Sequence, residues 1–160
     1  MAFTPIKADD GKYVSLFPMD YLNCTQTWGA NTLSHRNHQS DWIGSTHEYP
    51  YYACAPMRCY GITGSGYTWT TTEPVHTPTG LKYISIWVAH DNDANRAKVG
   101  TVINAGTLLG KTGVRGHVTG DHMHLDVAFG QSVATAYDHL SGDVNPTEAF
   151  YITDSYRIIN

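Results

Sequence analysis

Residues 119–130 read TGDHMHLDVAFG. In an extended chain, residues two apart share a face. His122 and His124 therefore project side by side, Leu125 turns the other way, and Asp126 returns to the histidine face. The run reads as a β-strand, and its polar face carries two imidazoles. Such a pair can bind one metal, or divide into one ligand and one proton carrier, or simply face water. A second run, LKYISIWVAH (81–90), alternates as strongly: Tyr83, Ser85, Trp87 and Ala89 oppose Ile84, Ile86, Val88 and His90.

The remaining signals are shorter. Residues 1–19 read as an extended entry, and DYLNCTQTW (20–28) as a weak strand. GANTLSHRNHQS (29–40) has loop chemistry. YPYYACAPMRCYGI (49–62) reads as a strand pair or a bent strand, with Pro50 and Pro56 held to edges or turns. Residues 63–80 read as a turn-rich hairpin, 91–100 as a polar loop, and 101–114 as two small strands about a turn. Asn145-Pro146, followed by Thr147 and Glu148, predicts a short helix within 145–150. Fifteen Gly, eleven Tyr and four Trp suit turns and strands. With 160 residues, of which 41% are hydrophobic and 15% charged, the chain fits one folded β-rich domain.

Several classes drop out. The net charge of −4 and the lack of a basic cluster speak against nucleic-acid binding. No stretch is long enough to span a bilayer. MAFTPIKADDGKYVSLFP has no apolar core of a signal peptide, so the expectation is synthesis in a cytoplasm without one. Cys24, Cys54 and Cys59 have neither zinc-knuckle spacing nor an even number, and are expected as free thiols.

Nine histidines remain to be explained. A catalytic zinc centre takes three protein ligands and keeps one position open. Peptide hydrolysis there also needs side chains that take and deliver protons. SHRNHQSDW supplies His35, His38 and Asp41; WVAHDND supplies His90 at a strand end; GDHMHLDV supplies His122 and His124. No H-E-x-x-H helix is present, so histidines must do the proton work. His47, His76, His117 and His139 are expected at the surface, with His117 near enough to the H-x-H to touch substrate. Tyr49, Tyr51, Tyr52, Tyr60, Tyr67, Trp69 and Trp87 either line a groove or pack in the core.

The string LLGKTGVRGHVTGDHMHLDVAFG resembles the end of the lysostaphin-type (LytM-like) zinc endopeptidases of bacterial cell walls. It matches their T-G-x-H-x-H strand at Thr119, Gly120, His122, His124, Leu125 and Asp126, with Asp126 where Glu is commoner. VGTVINAGTLLGKTG, YYACAP and SHRNHQSDW resemble successive earlier segments of that family, so the likeness spans about residues 20–130. AHDND departs from the more common Y-A-H-L, and the usual glycine of the first metal-binding loop is missing.

The resemblance implies a lysostaphin-like, mainly β fold: one antiparallel sheet domain (1–160, core about 20–130, with terminal extensions), little helix, and long loops flanking a groove. It implies one zinc ion held by His35, Asp41 and His124, with His90 and His122 catalytic. The family's H-x-x-x-D spacing falls between His35 and His38; the longer S-H…D loop of phage-type members favours His35. The expected activity is hydrolysis of peptide cross-links in peptidoglycan, by a monomeric phage lysin or a virion-associated wall-degrading protein. A non-catalytic wall-binding relative of the same fold, or an unrelated β-sheet binding protein with incidental histidines, are the competing readings.

Overall fold

The structure is a computed structural model and describes residues 3–29, 40–116, 118, 120–131, 140 and 142–152. Its centre is a seven-stranded antiparallel sheet. In chain order the strands of the fold are β1 (Cys24–Gln26), β2 (Ser40–Trp42), β3 (Pro50–Tyr52), β4 (Met57–Thr63), β5 (Gly66–Thr71), β6 (Val75–Thr77), β7 (Gly80–Lys82), β8 (Ile84–Ala89), β9 (Val102–Ile103), β10 (Leu108–Lys111) and β11 (Met123–Phe129). The large sheet runs β1-β2-β11-β8-β5-β4-β9, while β10 pairs with β3 and β6 with β7. The two strongly alternating sequence runs thus become neighbours, β11 and β8, near the middle of the sheet.

Alternation explains the packing. Ile84, Ile86 and Val88 of β8, Tyr67 and Trp69 of β5, and Met123, Leu125 and Val127 of β11 are all buried in one core cluster. Burying each such aliphatic chain contributes about 1.5–3 kcal/mol. The cluster also takes Val14, Leu16, Phe17 and Met19 from the entry segment, and Ala149 and Phe150 from the far end. Phe17 lies between Trp42 (ring centroids 4.3 Å apart) and Phe150 (5.9 Å). The buried Ser15 hydroxyl donates to the Ala149 carbonyl at 2.7 Å. The other face of the sheet is covered too: Trp87, Ala89, Ala128 and Leu140 form a second buried cluster.

One helix is present among the described residues, α1 (Pro146–Ala149). Its start follows from sequence. The Asn145 side chain accepts from the Thr147 N–H, and Glu148 reaches back to the Asn145 N–H, a reciprocal cap with proline in the first turn. Cys24, Cys54 and Cys59 are free thiols, as expected. No described helix is long and apolar enough to cross a membrane.

Candidate metal centre

Three neighbouring strands build the site. In the β2–β11 ladder Asp41 stands directly opposite His124, and in the β11–β8 ladder His124 stands opposite Ala89. Residues paired in this way share a face. Asp41 and His124 therefore meet although 83 positions separate them in the chain, and Ala89 leaves room beside them. The row continues to Gly66 on β5. A Cβ at Gly66 would overlap the Trp87 indole and lie 2.7 Å from the Val88 carbonyl oxygen, so glycine lets Trp87 settle against the sheet. The Trp87 ring in turn meets His124 edge-on, with centroids 5.4 Å apart. It forms the floor of the site.

The polar atoms converge tightly. His124 Nδ1 lies 3.3 Å and His122 Nε2 3.4 Å from the same Asp41 oxygen, Oδ1. His90, His122 and His124 each present a ring nitrogen within 4.8 Å of the others. His90 and His122 ring centroids are 4.6 Å apart, and those of His90 and His124 are 5.8 Å apart. Asp41 and His124 are each 5% exposed and His90 9%, so the charged and titratable groups are screened little by water.

Hydrogen bonds fix which nitrogens face inward. A carbonyl oxygen only accepts, so the contact of His90 Nδ1 with the Arg115 carbonyl at 2.6 Å puts a proton on Nδ1. Ser65 Oγ lies 3.4 Å from the same nitrogen. Likewise His122 Nδ1 donates to the Gly120 carbonyl at 2.8 Å, which turns Nε2 toward Asp41. Burial is the main cause pulling His90 down to a pKa of about 4, reinforced by His122 and His124 and opposed by the bond to Arg115. His90 is therefore a neutral ring near pH 7, with an unprotonated Nε2.

The donor set fits a zinc ion. One carboxylate oxygen and imidazole nitrogens are ligands that zinc takes. Two ligands bound tetrahedrally at about 2.0–2.1 Å lie about 3.3–3.4 Å apart, and the separation of His124 Nδ1 from Asp41 Oδ1 matches that edge.

Four of the five residues singled out in the sequence, Asp41, His90, His122 and His124, thus come together. The fifth, His35, and its alternative His38 lie outside the described residues, as do His117 and His139. His47 is exposed, and His76 pairs with Asp10 at 2.7 Å on β6, outside the cluster.

One reading of the alternation needs correction, and the aromatic alternatives are resolved. Strict alternation along β8 puts His90 on the core face with Ile84, Ile86 and Val88. Instead the strand ends at Ala89, and His90 takes a left-handed backbone with φ of 80°. That turn brings its ring to His122 and His124. Of the aromatic residues considered for a groove, Tyr51, Tyr67 and Trp69 are buried in the core. Trp87 is the one that meets a site histidine, packing against His124. Sequence reasoning missed Ser65 and Arg115, which touch His90; Arg115 acts through a backbone carbonyl, which leaves no side-chain signal to read.

Comparison with known proteins adds three likenesses. No family model matches the chain. Morphogenesis protein 1 of Bacillus phage B103 is 35% identical over 129 residues, covering 78% of this chain. The chain spans about a third (34%) of the length of that relative. Among solved structures, the catalytic domain of the antimicrobial peptidase lysostaphin from Staphylococcus simulans superposes with a TM-score of 0.53 at 18% identity, over 78% of this chain and 89% of that one. A zinc-containing peptidase from Vibrio cholerae superposes with a TM-score of 0.54 at 15% identity, over 89% of this chain and 45% of that one. With the sheet order and the strand positions of Asp41 and His124 already established, these likenesses give the architecture its name: the chain has the fold of the lysostaphin-type zinc peptidases.

Proposed function

We propose that this protein is a zinc-dependent endopeptidase that hydrolyses peptide cross-links of bacterial peptidoglycan. The observation that carries the reading is the meeting of Asp41 Oδ1, His124 Nδ1 and His122 Nε2 at 3.3 and 3.4 Å beside a neutral His90. In this reading His124, Asp41 and His35 hold one zinc ion, and His90 and His122 are catalytic. When bound, zinc supplies Lewis acidity toward the scissile carbonyl and the attacking water. The remaining work falls to the chain. His90 Nε2 accepts a hydrogen bond from the water and orients it. His122, with Nδ1–H tied to Gly120, offers Nε2 to carry a proton toward the leaving amine. The dry Trp87 floor and the buried carboxylate keep these interactions in a low-dielectric setting, where they are strongest.

The likeness to a phage morphogenesis protein favours a virion-associated wall-degrading role over that of a lysin, acting outside the cell that makes it. The protein works on its peptide substrate as a monomer, without nucleic acid and without membrane insertion.

The test combines metal analysis with turnover. The parent should carry about one zinc per chain and release defined fragments from purified muropeptides, scored by mass spectrometry. His124→Ala and Asp41→Ala should lose the metal; His122→Ala and His90→Ala should keep it and lose hydrolysis. His35→Ala against His38→Ala, scored by zinc content, decides the third ligand. Zinc binding with no hydrolysis of any muropeptide would replace this reading with that of a non-catalytic wall-binding relative. Undiminished hydrolysis by His122→Ala would refute the mechanism.

A further inference from the structure

His90 holds its place in a left-handed backbone conformation, with φ of 80°, that a non-glycine residue adopts only when its surroundings impose it. Something must impose it. The residues after β8 are tied to the segment that begins in β10 by three successive links. The His90 carbonyl accepts from Arg115 N at 3.1 Å, while its ring donates to the Arg115 carbonyl. Asn92 Oδ1 accepts from Val114 N at 3.0 Å. Between them lies Asp91, 2% exposed.

The Asp91 carboxylate is filled with donors. Oδ1 accepts from Asp93 N at 2.9 Å and Arg96 Nη2 at 3.2 Å. Oδ2 accepts from Lys111 N at 3.0 Å and from Arg96 Nε. One buried side chain thus fastens the 91–96 loop, the end of β10 and the residue that follows His90. Its charge is balanced by Arg96, whose guanidinium is held above its usual pKa chiefly by the bond to Asp91. A carboxylate that fully bonded is a rigid fixture rather than a surface charge.

We propose that Asp91 is the positioning residue for His90: its carboxylate locks the turn that swings the His90 ring off the core face and against His122. This inference rests on the reading of His90 as catalytic, and its test is arranged to separate the two. Losing the carboxylate frees the 91–96 loop from β10 and lets His90 relax toward ordinary strand geometry, which points its ring away from the metal centre. Asp91 itself touches neither substrate nor ion.

The experiment uses the full chain loaded with zinc at pH 7, comparing the parent with Asp91→Asn and with the milder Arg96→Gln. Long-range proton–nitrogen NMR of the imidazoles reports the His90 tautomer directly and needs no turnover. The parent should show His90 protonated on Nδ1. Both variants should show His90 signals shifted or averaged between tautomers, with His122 and His124 signals and zinc content unchanged. Below the melting temperature of each variant, kcat on a defined muropeptide should fall by up to about 10²-fold, the penalty for misplacing a catalytic group by about 1 Å, with KM within about twofold. Unchanged His90 signals in both folded variants would overturn the proposal, as would a loss confined to KM or to bound zinc. A shifted His90 in a protein whose parent hydrolyses nothing would uphold the positioning role and count against the peptidase reading instead.

Discussion

Gly113 gives the sharpest test of how tightly the site is assembled. It has no left-handed φ, so its backbone tolerates alanine and any penalty must come from space. The space is missing: a methyl there would sit 2.1 Å from the His90 carbonyl oxygen and 2.9 Å from Asn92 N, both backbone atoms. Comfortable separation is about 3.5 Å, so the two segments must part by about 1 Å or more. Overpacking of this kind costs about 1–3 kcal/mol, and each kcal/mol lowers Tm by about 2–4 °C in a chain of this size. Gly113→Ala should therefore melt about 2–12 °C below the parent. The His122 N–H donates to the Gly113 carbonyl at 3.1 Å, so the displacement reaches both histidines at once. Turnover should fall by about 10²-fold with zinc content unchanged. Calorimetry beside a muropeptide assay measures both effects. Gly120→Ala is the control, since among the described residues a methyl there meets nothing within 4 Å; its Tm should stay within about 1 °C of the parent, a surface-like effect. If Gly113→Ala matches that control in Tm and in turnover, the close approach of residue 113 to His90 is wrong.

Two further outcomes concern the scaffold. Cys54 is buried and its thiol pushed up to about 12 by desolvation, while burial also raises Cys59 and the half-buried Cys24. A thiol reagent at pH 8 should modify the native protein slowly, Cys24 first, and titrate three thiols only after denaturation; rapid modification of Cys54 in the native protein would contradict its burial. Ser15→Ala removes the donor to the Ala149 carbonyl across the two chain-end segments. Leaving that buried acceptor unsatisfied costs about 1–3 kcal/mol, read as a lower Tm with bound zinc unchanged; an unaltered Tm would show that the contact contributes nothing.

Much of the site was legible before any coordinates because its information is local. The alternation in LKYISIWVAH and DHMHLDVAFG predicts two strands, found as β8 and β11, since period-two burial belongs to each segment by itself. Asn145, Pro146 and Glu148 announce the helix start for the same reason: a cap is satisfied within four residues. The H-x-H pair needs only an extended backbone to share a face. From these and from Asp41 and His90, a cluster of metal-ligating side chains could be anticipated, and the architecture agrees with the lysostaphin-type fold.

The tertiary structure decided what no local rule contains. Register between β2 and β11 sets Asp41 opposite His124, and one residue of slip would send the carboxylate into the core beside Met123. The strand period assigns His90 to the wrong face, because the chain leaves β8 in a left-handed turn where residues 90–92 bond to residues twenty or more positions away. Burial of Asp91, which reads in sequence as one more polar residue of the AHDND loop, depends on the meeting of that loop with β10. Sequence determined which side chains could do the chemistry and which segments would be strands; non-local hydrogen bonding determined where those side chains meet, since register and strained torsions are properties of the assembled sheet rather than of any stretch within it.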